Sequence, residues 1–166
     1  YFLSTLWANI PVWLYALVVI AALLQVAGWY YFIRLIRQNL TQLRASFTRF
    51  VLLLFLTVAL ALTLKLILQL GSIVPAISDL AYSFRPIVIA YLHLVLLLII
   101  SVFLLTFMYG TGLLRQQKPT RIALLMFAIG VILNEAVLAI QGIWSFSYTV
   151  IPYANEALFG IAMLML

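Results

Sequence analysis

Residues 34–70 read RLIRQNLTQLRASFTRFVLLLFLTVALALTLKLILQL. The first part of this stretch carries Arg34, Arg37, Arg44 and Arg49 and no acid, and the second is an apolar run, 50–70, interrupted by one cation, Lys65. About 20 apolar residues at ~1.5 Å each cross a hydrocarbon core of roughly 30 Å, so residues 50–70 are long enough to span a bilayer. A basic, acid-free segment beside such a run marks the cytoplasmic side. The pattern recurs at Arg115, Lys118 and Arg121, which lie between two further apolar runs and again have no acid among them. Seven of the nine Lys and Arg residues fall in these two segments, so loops 34–49 and 110–121 are both expected in the cytoplasm.

Working outward, spans are expected at 10–33, 50–70, 86–109 and 120–144, with a fifth, truncated one at 155–166. The fold class is therefore all-α, a polytopic transmembrane helix bundle forming one domain over residues 1–166. Pro86, Pro119 and Pro152 stand at or just before helix starts, where a missing N–H removes no bond. Trp7, Trp13, Tyr82, Phe84, Trp144, Tyr148 and Tyr153 mark an outer aromatic belt, and Trp29, Tyr30, Tyr31 and Tyr109 an inner one. The chain opens at Tyr1 without a basic leader and stops inside an apolar run, and we read it as a piece of a larger protein.

Composition narrows the function. A chain that is 68% hydrophobic and 7% charged has too little polar surface to cover a soluble globule, so the lipid bilayer is its main partner. The net charge of +6 belongs mostly to the two basic loops and favours anionic headgroups over nucleic acid. The absence of cysteine removes disulfides, thiolate metal sites and cysteine nucleophiles. No Gly-rich phosphate loop, HExxH or paired-carboxylate motif is found, and Gly110-Thr111-Gly112 reads as a helix stop.

The connections differ in character. Between Arg34 and Phe50, the residues Ile36, Leu40, Leu43, Phe47 and Phe50 recur at three- and four-residue spacing among the cations. That is a basic amphipathic helix, either interfacial or an extension of the neighbouring spans. The segment 71–85, with Pro75, Asp79 and Tyr82, predicts a short helix on the outer surface.

Three ionisable residues fall inside spans, where each costs several kcal/mol unless paired, hydrated or bound: Lys65, His93 and Glu135. Counted from the outer ends of their spans, they lie about 8, 10 and 13 Å deep, all in the outer half. Lys65 either snorkels to the headgroups or joins the others at a common interior. Glu135, beside Asn134, is either a protonated, hydrogen-bonded carboxyl or part of a proton or ion path. His93 is either a packing residue or a ligand.

Residues Arg85 to Leu96, RPIVIAYLHLVL, resemble the tenth helix of haem–copper oxidase catalytic subunits, in which a short apolar run and Ala or Gly precede His-X-His and a long apolar tail. By this resemblance His93 is the axial ligand of a low-spin haem, and Arg85 at the outer mouth meets the haem propionates. Tyr91 stands where the family places the histidine of the oxygen-reducing centre. The chain departs from the family at that point, and oxygen reduction does not carry over. The family's helix also runs from outside to inside with its ligands in the outer half and two more spans following, as the third span here does. The resemblance implies that this chain covers helices eight to twelve of a bacterial inner-membrane haem protein, an electron carrier, a sensor or a divergent oxidase-like subunit. The remaining ligands and any further membrane subunits would lie outside it. Two other classes stay open: a proton- or ion-coupled transporter or channel segment lined by His93, Asn134 and Glu135, and a structural membrane subunit without cofactor.

Overall fold

The computed structural model describes residues 11–74, 85–145 and 153–165. These residues form helices and no strand: α1 (Val12–Gln38), α2 (Leu40–Ser46), α3 (Arg49–Gly71), α4 (Arg85–His93), a π-helical segment (Leu94–Ser101), α5 (Val102–Gly110), α6 (Lys118–Ser145) and α7 (Ala154–Met165). The π segment joins α4 and α5 into one rod. That rod, α1, α3 and α6 are each long and apolar enough to cross a membrane, and α7 is a shorter apolar helix. The protein is an all-α integral membrane bundle.

Local chemistry sets the ends. Asn39 stops α1 with φ −103°, and its amide nitrogen donates to Leu35 O at 2.9 Å. Phe47 is extended, and Thr48 caps α3 with its hydroxyl oxygen 3.5 Å from Val51 N. After α5, Gly112 adopts φ +79°, which an L side chain tolerates poorly, and the Gln116 side-chain amide donates to the helix-end Tyr109 carbonyl at 3.0 Å. Pro86 and Pro119 each occupy the first turn of a helix.

Neighbouring spans pack in chain order: α1 on α3, α3 on the π segment and α5, α4 on α6, and α6 on α7. The α4–π–α5 rod therefore changes partner along its length, pressing one half on α3 and the other on α6. The core is built from Val51, Leu54, Val58 and Ala61 of α3, Leu94, Leu98, Val102 and Tyr109 of the rod, and Leu124, Ala128 and Val131 of α6. Leu53, Leu60 and Ile143 are more than 60% exposed and present apolar side chains to lipid or to further helices.

Three features depart from or refine the sequence reading. The first span runs on to Gln38, and the basic segment divides between this extension and the separate helix α2. The third span contains a π segment. Its buried positions Leu94 and Leu98 are four residues apart, a spacing that drifts about 40° in an α-helix and that wider winding brings closer to one line. The Ser101 hydroxyl donates to Leu96 O at 2.9 Å within it. The surface helix expected at 71–85, and the belt residues Trp7, Tyr82, Phe84 and Tyr148, lie outside the described residues or at their margin.

The two basic segments sit at one end of the bundle. A Cβ on Gly110 would stand 3.1 Å from both Phe47 and Val51, and the Arg121 guanidinium lies 4.9 Å over the Phe50 ring. We refer to this as the basic end.

Candidate functional site

The polar residues of the spans lie far from the basic end, and side-chain contacts fix their level. Phe50 meets Tyr109 edge to face at 5.9 Å, and Phe55 meets Phe103 at 5.8 Å. Lys65 is 15 residues beyond Phe50 and His93 is 16 before Tyr109 on the antiparallel rod, so the two share a depth to within about one turn, ~5 Å. On the other side, Gly142 of α6 abuts Ile87 of α4, its added Cβ standing 3.1 Å from Ile87 Cγ1. Glu135, seven residues before Gly142, is therefore level with Leu94, seven after Ile87. One layer of the bundle holds Lys65, His93, Glu135 and Asn134.

Within that layer the side chains have different surroundings. Lys65 lies in a cleft of about 380 Å³ between α1 and α3, bordered by Gln25, Trp29, Phe32 and Leu62. Its ammonium donates to Gln69 Oε1 at 2.6 Å, one turn on towards the helix end. No hydrogen bond or ion pair among the described residues joins Lys65, His93 and Glu135 to one another.

His93 is half-buried, and its Nδ1 lies 2.9 Å from Ile89 O. A carbonyl oxygen only accepts, so Nδ1 carries the proton, and it is Nε2 that holds the lone pair whenever the ring has a single proton. The imidazole is held by its own helix and offers one coordinating nitrogen. Beside it, Leu92 and Leu96 are 40% and 56% exposed, so this flank of the rod has no helix packed on it among the described residues. The π segment begins at the next residue, Leu94. Tyr91 is also half-buried, and two residues of α-helix turn it about 200° from His93, onto a different face. Arg85 opens α4.

On α6 the buried positions Leu124, Ala128, Val131, Asn134, Leu138 and Gly142 form one stripe at three- and four-residue spacing. Asn134 is 7% exposed and its Nδ2 has no hydrogen-bond partner; the neighbouring Glu135 Oε1 is likewise buried without one. The hydroxyl of Thr106 on α5, fully buried, is the third such atom. Sequence reading passed over Thr106, since a threonine within an apolar run commonly bonds back to its own helix. A buried polar atom without a partner costs free energy in a membrane core, which sets these three side chains apart from the apolar positions around them. Among the described residues, no group of three or more His, Asp or Glu side chains is placed to hold a metal ion.

No family model, no curated protein and no solved structure matches this chain.

Proposed function

We propose that this chain is part of a membrane haem protein of the haem–copper oxidase type, in which His93 supplies one axial ligand for electron transfer or sensing. One observation carries the reading: the Nδ1–H of the only histidine is tied to Ile89 O, which leaves Nε2 as the nitrogen available to a ligated metal. The donor set fits half of such a site. The imidazole lies beside the exposed Leu92 and Leu96, an apolar flank that no described helix covers and the kind of surface a porphyrin would cover. The second axial ligand would come from another part of the protein, and Arg85 at the head of α4 would meet the propionates. Bound there, haem would supply a one-electron carrier. His93 would hold the iron through Nε2, Leu92 and Leu96 would lie beside the ring, and Ile89 O would keep the imidazole in one tautomer. The basic end faces the cytoplasm in this reading, by the excess of Arg and Lys in short loops, and the membrane is a bacterial inner membrane.

The test is a reduced-minus-oxidised visible spectrum of the full-length protein. Haem bands are expected, and His93→Ala removes or shifts them while helicity is kept. A spectrum without haem bands refutes the proposal.

A second reading draws on a different observation, the buried and unpartnered Asn134 Nδ2 and Glu135 Oε1. In a proton- or ion-coupled transporter these groups line a polar path. Proton flux into liposomes that falls in Glu135→Gln, with no haem in the preparation, would favour it.

A further inference from the structure

Arg49 and Arg121 are 72 positions apart in the chain, at the starts of two different spanning helices, and the fold brings them to one cleft. Its volume is about 240 Å³ and its lining is Thr48, Arg49, Phe50, Tyr109 and Arg121. Both arginines are exposed. Phe50 forms the wall on which the Arg121 guanidinium rests, 4.9 Å from the ring centroid, and Tyr109, 7% exposed, buttresses that ring at 5.9 Å. This stacking holds a guanidinium by its face and leaves its N–H edge free to bond.

Nothing of opposite charge is at hand. The chain has three acids, and none lies in either basic segment: Asp79 follows α3 in the sequence, Glu135 is in the far half of α6, and Glu156 in the first turn of α7. Neither Arg49 nor Arg121 has a carboxylate partner among the described residues. Two unneutralised guanidinium groups in one cleft repel each other, and an anion between them removes that cost and gains charge-assisted hydrogen bonds. The height of the cleft identifies the anion's source. Arg49 is the first residue of α3 and Arg121 the fourth of α6, both at the ends of membrane-crossing helices, which is the level of lipid headgroups.

We propose that this cleft binds the phosphate of an anionic phospholipid, with Arg49 and Arg121 on its oxygens and the Thr48 hydroxyl as an additional donor. The lipid ties α3 to α6 across the end of α5, beside the Phe50–Arg121 contact.

Native mass spectrometry of the full-length protein in detergent, with phosphatidylglycerol or phosphatidylcholine added, tests this. One phosphatidylglycerol is expected to be retained in preference to phosphatidylcholine. The R49Q/R121Q variant should lose about tenfold or more of the affinity for that first lipid. The R34Q/R37Q variant makes the same charge change on the exposed face of α1 and should lose far less. All four side chains are exposed, and helicity measured by circular dichroism checks that both variants fold. Equal losses in the two variants would reduce the effect to general surface charge and overturn the site. Displacement of the lipid by excess inorganic phosphate would assign the cleft to a soluble anion and overturn the lipid.

Discussion

Replacing Phe50 by leucine keeps an apolar side chain of similar bulk but removes two oriented contacts: the ring face beneath Arg121 at 4.9 Å and the edge-to-face pair with Tyr109 at 5.9 Å and 82°. Arg121 is exposed, so the cation–π contact is worth about 0.5–1 kcal/mol. The aromatic pair, against a buried Tyr109, is worth about 0.5–1.5 kcal/mol beyond its area. Phe50→Leu should therefore destabilise the bundle by about 1–2.5 kcal/mol. Double-mutant cycles separate the two parts. Coupling of about 0.5–1 kcal/mol is expected between Phe50→Leu and Arg121→Gln, and about 0.5–1.5 kcal/mol between Phe50→Leu and Tyr109→Leu. The control, Phe50→Leu with Arg115→Gln, should be additive to within about 0.5 kcal/mol, since Arg115 lies on the exposed turn before α6 and touches no ring. Reversible SDS unfolding in bicelles, followed by circular dichroism, gives the free energies. If Phe50 and Arg121 prove additive, the starts of α3 and α6 do not meet, and the joining of the two basic segments at one cleft is wrong.

Two further predictions concern the polar layer. The chain has no cysteine, so Ile87→Cys with Gly142→Cys gives a clean test of the α4–α6 contact: a Cβ at 142 stands 3.9 Å from Ile87 Cα, within disulfide reach. Mild oxidation should close that bond on a non-reducing gel, while Ile87→Cys with Ile143→Cys, on the 64% exposed face, should not; equal yields would refute the register that levels Glu135 with His93. Asn134→Leu removes an unpartnered buried amide and should raise stability to SDS by about 1–2 kcal/mol. A loss of stability of that size would mean that Asn134 has a partner in the assembled protein.

Much of the scaffold is legible in residues 34–121. The apolar runs give the spans by length, the acid-free clusters at Arg34–Arg49 and Arg115–Arg121 place two connections on one side, and Pro86, Pro119 and Gly112 mark ends and turns, because backbone chemistry acts within a few residues. The depth of Lys65, His93 and Glu135 follows from counting along a helix of fixed rise. What lies around each of them does not. A span that is apolar on every side carries no stripe to say which face meets protein and which meets lipid, since both neighbours are equally apolar. Only packing shows that Lys65 occupies the α1–α3 cleft, that Asn134 continues the buried stripe of α6, and that His93 sits at the edge of a flank that no described helix covers. The π winding of Leu94–Ser101 is hidden for the same reason, because a run of leucine and isoleucine reads alike in either helix and the choice is made by the partners its buried positions must reach. Arg49, Phe50 and Arg121 come together only because α3, α5 and α6 end at the same height, and residues so distant in the chain leave no local pattern.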